Sequence, residues 1–252
     1  MKMSGNTILL TGGSAGIGRA LAEAFHARNN KVIITGRRRD ALDAVTAANP
    51  GMQAMVADLS DKTAVAAFAE EARRLYPEIN VLINNAGIMK AEDIGAAPAF
   101  LDVAEETIAT NLLAPIRLTA ALLPQLRSQP ASTIMTVSSG LAFVPLAMTP
   151  TYSATKAAIH SYSMSLRQQL KGSRTQVIEI APPYVRTTLM GEQQASDPRA
   201  MPLEDFIAEV MQILDSQDDV SEVIVELCRP LRFAAEDGKM DAMFGAINGM
   251  HA

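Results

Sequence analysis

A doubly wound α/β fold with a largely parallel sheet is predicted by three observations. Short, near-continuous apolar runs alternate with longer amphipathic stretches; a glycine-rich turn follows the first run; the pattern repeats as strand, helix, strand. Parallel strands covered on both faces carry such continuous runs, and their crossovers are right-handed.

The first strand is read at Thr7–Thr11 and the second at Lys31–Thr35. Further strands are expected at Met52–Ala57, Val81–Asn84, Thr133–Val137 and Gln176–Ile180. Between them, Gly18–Arg28 places Ala20, Leu21, Ala24 and Phe25 on one helical face. Asp40–Ala48 and Lys62–Leu75 repeat the pattern, with Ser60 as a cap for the latter. A long helix is expected over about 101–126 despite Pro115. This gives strand order 3-2-1-4-5-6. Beyond it, Asp219–Leu227 and Met240–Ile247 read as helices, so a seventh strand is expected only as a short edge. One domain spans 1–252, with a polar flap over about 187–214 and a helical region over about 219–250.

Apolar residues make up 48% of the 252 and charged residues 19%, which indicates a globular chain. The net charge of −5 supplies no basic field for nucleic acid or an anionic membrane. Cys228 is the single cysteine, so no intrachain disulfide is possible. His26, His160 and His251 lack metal-ligand spacing, and no metal is expected. No signal peptide and no membrane-spanning apolar run is read, so the expected location is cytoplasmic.

The turn Thr11-Gly12-Gly13-Ser14-Ala15-Gly16-Ile17-Gly18 joins a strand to a helix. Glycine there permits the tight turn and close approach of a pyrophosphate to the free amides of a helix N-terminus. The fold is therefore Rossmann-type, although the glycine spacing differs from Gly-x-Gly-x-x-Gly. Dinucleotide sites that take NAD place a carboxylate at the end of the second strand, for the ribose 2′-hydroxyl. Here that position is Gly36, followed by Arg37 and Arg38. Guanidinium groups pair with a 2′-phosphate, so NADP(H) is expected over NAD(H). The competing reading is three arginines solvating a helix start.

Tyr152 and Lys156 are one helical turn apart, and Ser139 follows an apolar run thirteen residues earlier. A free tyrosine titrates near pH 10, too high for ready proton transfer at neutrality. A lysine beside it favours the phenolate and is expected to lower that value. Ser139 is placed to donate a hydrogen bond to a carbonyl oxygen. Each residue alone is ordinary surface chemistry; their register with the glycine turn argues otherwise.

These motifs, together with Asn84-Asn85-Ala86-Gly87 and Asn111, resemble those of the short-chain dehydrogenases/reductases over nearly the whole chain. Within that family the chain resembles a bacterial subgroup that includes the oxidoreductase encoded with the D-alanylation genes of teichoic acid. The resemblance implies a catalytic set of Asn111, Ser139, Tyr152 and Lys156. It implies that Asn111 holds a water in a relay with Lys156. It also implies a cofactor set of Gly12, Ser14, Gly16, Ile17, Gly18, Arg37, Arg38, Asp58, Leu59, Asn85, Ala86, Gly87, Tyr152, Lys156, Pro182, Val185 and Thr187. Asp58 is expected near adenine, Lys156 on the nicotinamide ribose, and Val185 and Thr187 at the carboxamide. The family's Pro-Gly-x-Val-x-Thr is here Pro182-Pro183-Tyr184-Val185-Arg186-Thr187, and proline should stiffen that loop.

The implied activity is interconversion of a small-molecule carbonyl and a secondary alcohol. An NADP(H)-binding regulator without turnover, and an epimerase or dehydratase of nucleotide sugars, are the competing readings. Met89, Met148, Met190, Met201, Met240 and Met243 are candidates for a pliable pocket or for ordinary core. A homodimer or homotetramer is expected through the helices near 101–126 and 151–170, where Ala154, Ala157 and Ala158 permit close approach.

Overall fold

Apolar side chains of alternating direction tie the strands to the layers on either side. The computed structural model describes residues 1–217 and 219–249. Its strands are β1 (Thr7–Thr11), β2 (Lys31–Gly36), β3 (Gln53–Val56), β4 (Val81–Asn84), β5 (Ser132–Val137), β6 (Thr175–Ile180) and β7 (Glu222–Val223). They form one parallel sheet in the order β3-β2-β1-β4-β5-β6-β7.

Ile8, Leu10, Ile34 and Ile83 face one layer, where they meet Leu21 and Phe25 of α1 (Gly16–His26), Leu42 of α2 (Arg39–Ala48) and Phe206 of α8 (Leu203–Ser216). Leu9, Ile33 and Leu82 face the other. That layer holds α3 (Lys62–Leu75), α5 (Ala114–Ser128) and α6 (Pro150–Gln169), through Phe68, Leu118, Leu122 and Leu166. Fully burying each such side chain stabilises by about 1.5–3 kcal/mol before entropy is set against it.

Several local expectations change. The first helix starts at Gly16, two residues before the expected point, and Ala22 is its buried alanine while Ala20 and Ala24 are half-buried. Asp61 rather than Ser60 caps α3: its carboxylate accepts from the Ala64 amide at 2.6 Å. Ser60 instead donates to Asp58. The long helix runs from α4 (Leu101–Ile108) through a π turn (Ala109–Leu113) into α5. Pro115 offers no amide, so the Asn111 carbonyl four residues back receives no α-helical bond from it. The span Leu101–Ser128 is long and apolar enough by composition to cross a membrane, contrary to the sequence reading. Leu118, Leu122 and Leu126 of this span are buried against the sheet layer.

The stretch Asp219–Leu227 is not helical as expected. It carries the two-residue parallel edge strand β7, paired to β6, and runs into a 3₁₀ turn at Glu226–Cys228. The short α7 (Glu192–Ser196) follows the Thr187–Leu189 turn, α9 (Arg229–Arg232) follows the 3₁₀ turn, and α10 (Met240–Gly249) covers the last expected helix. Residue 250 of the expected helical region, and His251, fall outside the described residues.

Candidate active site

The carboxyl ends of β1, β2, β4, β5 and β6 open onto a cleft of about 490 Å³. This is where an open α/β sheet binds ligands. Its floor at one end is the β1–α1 turn. Gly12 and Gly16 take φ values of +71° and +53°, which suit glycine. A Cβ on Gly18 would stand 2.2 Å from the Gly12 carbonyl oxygen and 2.3 Å from Asn85 Nδ2.

The Asn-Asn-Ala-Gly segment after β4 holds this turn. Thr11 Oγ1 accepts from the Asn85 and Ala86 amides, each at 3.0 Å. Asn85 Nδ2 donates to the Thr11 carbonyl at 2.9 Å. Ala15, at the N-cap of α1, supplies no side-chain cap, and the first turn has no acidic residue. The free amides and the positive end of the helix dipole thus face the cleft, which fits a pyrophosphate. We expect Gly18→Ala to lower both the melting temperature and dinucleotide affinity, because the clash is with backbone. Overpacking of this kind costs about 1–3 kcal/mol. Unchanged values in thermal melting and calorimetry would remove the close-approach argument.

Gly36 ends β2, with Arg37 and Arg38 on the cleft wall. Arg37 is largely exposed, 3.9 Å from Glu106. Asp58 Oδ1 accepts from the Ser60 hydroxyl at 2.7 Å and amide at 3.0 Å, and these bonds hold its carboxyl below the usual range.

At the other end, Ser139, Tyr152 and Lys156 line the wall together. Lys156 Nζ donates to the Val137 carbonyl at 2.7 Å and stands 5.5 Å from the centre of the Tyr152 ring. Burial pushes the Lys156 ammonium down to about 8, opposed by the negative charge of Glu179. Burial pushes the Tyr152 phenol up to about 12, against a lowering hydrogen bond with Ser139. The expected lowering of the phenol is therefore not seen. Desolvation of the phenolate outweighs the Ser139 hydrogen bond, and the Lys156 ammonium donates to the Val137 carbonyl.

Every expected site residue lines the cleft except Asn111. Its side chain is buried behind the wall, with Oδ1 accepting from the Ile88 amide and Nδ2 donating to the Ile88 carbonyl, both at 2.8 Å. It nevertheless approaches the site: a Cβ on Gly87 would be 3.3 Å from Asn111 Oδ1 and 3.7 Å from Lys156 Nζ. Of the six methionines considered, Met89 lines the cleft, whereas Met201 and Met243 pack in apolar clusters elsewhere.

Sequence reasoning missed Lys90, Thr110, Ser138, Leu189 and Gln194 on the cleft wall. Gln194 is the most constrained. Its Nε2 donates to the Val185 carbonyl at 2.8 Å and to Thr187 Oγ1 at 3.3 Å, and its Oε1 accepts from the Met190 amide at 3.0 Å. Nothing in a polar run such as Glu192-Gln193-Gln194 marks which glutamine points inward. The Pro182–Thr187 loop is further held by a parallel bridge between Val185 and Met201.

The family model for short chain dehydrogenase matches residues 6–198. The chain belongs to the short-chain dehydrogenase family. It is an oxidoreductase acting on CH–OH or C=O groups with a nicotinamide cofactor. This short-chain dehydrogenase is 40% identical over 251 residues to the uncharacterized oxidoreductase DltE of Bacillus subtilis strain 168, covering 98% of each chain. Two solved structures share its fold. One is a short chain dehydrogenase from Burkholderia cenocepacia J2315 in complex with NADP, with TM-score 0.81 and 24% identity, covering 98% of this chain and 99% of that one. The other is a short chain dehydrogenase/reductase from Burkholderia phymatum in complex with NAD, with TM-score 0.80 and 19% identity, covering 96% of each. The same fold thus accompanies both cofactors.

Proposed function

We propose that this short-chain dehydrogenase is an NADP(H)-dependent oxidoreductase that interconverts a carbonyl and a secondary alcohol, with Tyr152 as acid and base. The observation that carries the reading is the meeting of Ser139, Tyr152 and Lys156 at one end of a cleft whose other end is the glycine turn and Arg37.

When bound, the nicotinamide cofactor supplies or accepts the hydride. The chain's own residues do the rest. Gly12, Ser14, Gly16, Ile17 and Gly18 hold the pyrophosphate at the start of α1. Arg37 and Arg38 pair with the 2′-phosphate. Asp58 and Leu59 border the adenine, and Asn85, Ala86 and Gly87 carry the central part of the cofactor. Pro182, Val185 and Thr187 meet the carboxamide, and Lys156 holds the ribose.

In carbonyl reduction, Tyr152 Oη gives its proton to the substrate oxygen while the Ser139 hydroxyl donates a hydrogen bond to the same atom. Lys156 stabilises the phenolate that remains. Asn111 supports a water that returns the proton. Alcohol oxidation runs the same transfers in reverse. A buried phenol that stays protonated at neutral pH suits the donating role.

Of the flap expected over about 187–214, the part from Leu203 is α8, which buries Phe206, Val210, Met211 and Leu214 in the core, so the flap of this single-domain reading is 187–202 with α7. The protein assembles as a homodimer or homotetramer through α4–α5 and α6, where Leu113, Met164 and Ala157 are exposed. Light scattering of the purified chain reads that assembly, and a monomer at working concentration would refute it.

The deciding experiment follows NADPH consumption across a panel of aldehydes, ketones and 3-oxoacyl thioesters, with calorimetry of NADPH in parallel. Turnover that is lost in Lys156→Ala, with weakened NADPH binding, supports the reading. Tight NADPH binding with no turnover on any carbonyl favours the regulatory alternative.

A further inference from the structure

The helix that carries Tyr152 and Lys156 begins without a cap of its own. α6 starts at Pro150, and the two residues lie in its first two turns. Thr149 occupies the N-cap position, yet its side chain makes no capping bond. Its hydroxyl is buried and has no hydrogen-bond partner among the described residues. No acidic residue stands in the first turn. The first amides of a helix find no carbonyl within it, so this end needs a partner from elsewhere.

That partner comes from the segment after β4. Glu92 Oε1 accepts from the Thr151 amide at 3.2 Å, and Oε2 accepts from the Thr151 hydroxyl at 2.6 Å. The Glu92 amide donates to the Met148 carbonyl at 3.0 Å, on the other side of Thr149. One residue thus grips the chain on both sides of the helix start. Its charged neighbours are engaged elsewhere: Lys90 pairs with Glu106, and Asp93 Oδ1 accepts from the Gly95 amide at 2.9 Å. A carboxylate at this place also meets the positive end of the helix dipole. The segment is anchored at its other end by the two bonds between Asn111 and Ile88.

We infer that Glu92 is a positioning residue for Tyr152: by holding Thr151 from outside the helix, it fixes where α6 begins and so where the phenol hydroxyl stands. This rests on the reading of Tyr152 as proton donor given above. Glu92 lies outside the cleft lining, so it acts through Thr151 and not on substrate or cofactor. Tyr152 is the next residue along, and a shift of the first turn carries its ring with it. Lys156, a turn further in, is held separately by its bond to the Val137 carbonyl. Misplacing a reacting group by about 1 Å can cost on the order of a hundredfold in rate. Ser153 supplies a second anchor, donating to the Thr149 carbonyl and accepting from the Leu146 amide. Loss of Glu92 should therefore loosen the first turn without unfolding α6.

The test compares Glu92→Ala and Glu92→Gln, each in the wild-type and the Tyr152→Phe background. Hydrogen exchange of the Thr151 amide is read without cofactor, and kcat is read with NADPH on a carbonyl that the wild type turns over. In Glu92→Ala that amide should exchange faster, and kcat should fall on the order of tenfold or more with NADPH affinity unchanged. Glu92→Gln keeps an acceptor oxygen and should recover most of the loss. In Tyr152→Phe, Glu92→Ala should lower the residual rate no further, because the hydroxyl it positions is gone. A residue that only stabilised the fold would lower both backgrounds alike.

Wild-type exchange of the Thr151 amide in Glu92→Ala overturns the proposal. So does faster exchange with unchanged kcat, or a loss of equal size in both backgrounds. If Glu92→Ala is insoluble, Thr151→Val removes the hydroxyl bond alone, Thr151→Ser restores it, and kcat is read in both backgrounds. Full turnover in Tyr152→Phe, or none in the wild type on any carbonyl, would instead overturn the reading of the proton donor. The exchange rate then decides on its own whether Glu92 holds α6.

Discussion

Tyr152→Phe is expected to reduce turnover by on the order of a hundredfold or more while leaving fold and cofactor affinity intact, because it removes the hydroxyl proposed as the general acid. The phenol is 6% exposed and its ring lies beside the Lys156 ammonium. Phenylalanine keeps that ring and its packing, so the loss isolates the hydroxyl and its bond to Ser139. The measurement pairs kcat on a confirmed carbonyl with NADPH calorimetry and a melting curve. A variant as active as the wild type would exclude Tyr152 as the proton donor. A variant that melts early would show packing damage, and its kinetics would then be read against Tyr152→Trp and Tyr152→Leu controls.

The second large effect concerns the 2′-phosphate. A charge-assisted contact from a guanidinium contributes roughly 1.5–3 kcal/mol, or about ten- to over a hundredfold in affinity. Arg37→Ala should therefore weaken NADPH by that range and NADH little. The 3.9 Å approach of Glu106 to Arg37 does not alter the expectation, since an exposed pair is weak and the guanidinium has donors to spare. Gly36→Asp should move preference toward NADH by adding a ribose partner and repelling the phosphate. The site has room: a Cβ on Gly36 would be 3.4 Å from Ser14 Oγ and 3.7 Å from Leu42. Calorimetry of both cofactors with wild type and both variants decides it. Wild-type protein that binds NADH as tightly as NADPH would show that the arginines only solvate the start of α2.

The six longer strands were legible because parallel strands buried on both faces leave unbroken apolar runs, and Val81–Asn84 and Thr7–Thr11 match to the residue. β7 was not. Two residues give no period of their own, and Val220, Val223 and Leu227 mimic a helical stripe. The cleft was legible where one local segment builds it, as in Gly12–Gly18. It was not where a distant helix contributes one residue, as with Thr110 or Gln194. The Tyr152 phenol shows a different failure. Spacing reveals the neighbouring lysine, but desolvation depends on everything packed around the ring, which no local pattern carries. The same holds for His160 and Glu179, nineteen residues apart and paired only by the docking of α6 on β6.

The three bonds of Gln194 make α7 and the Val185–Thr187 loop a single mechanical part. Whatever swings α7 away from the cleft drags the loop with it. On the function proposed above, the substrate flap and the loop assigned to the carboxamide would then open together. Hydrogen exchange reads this directly: the amides of Arg186 and Met190 should open in one cooperative step, and separate opening rates would uncouple them.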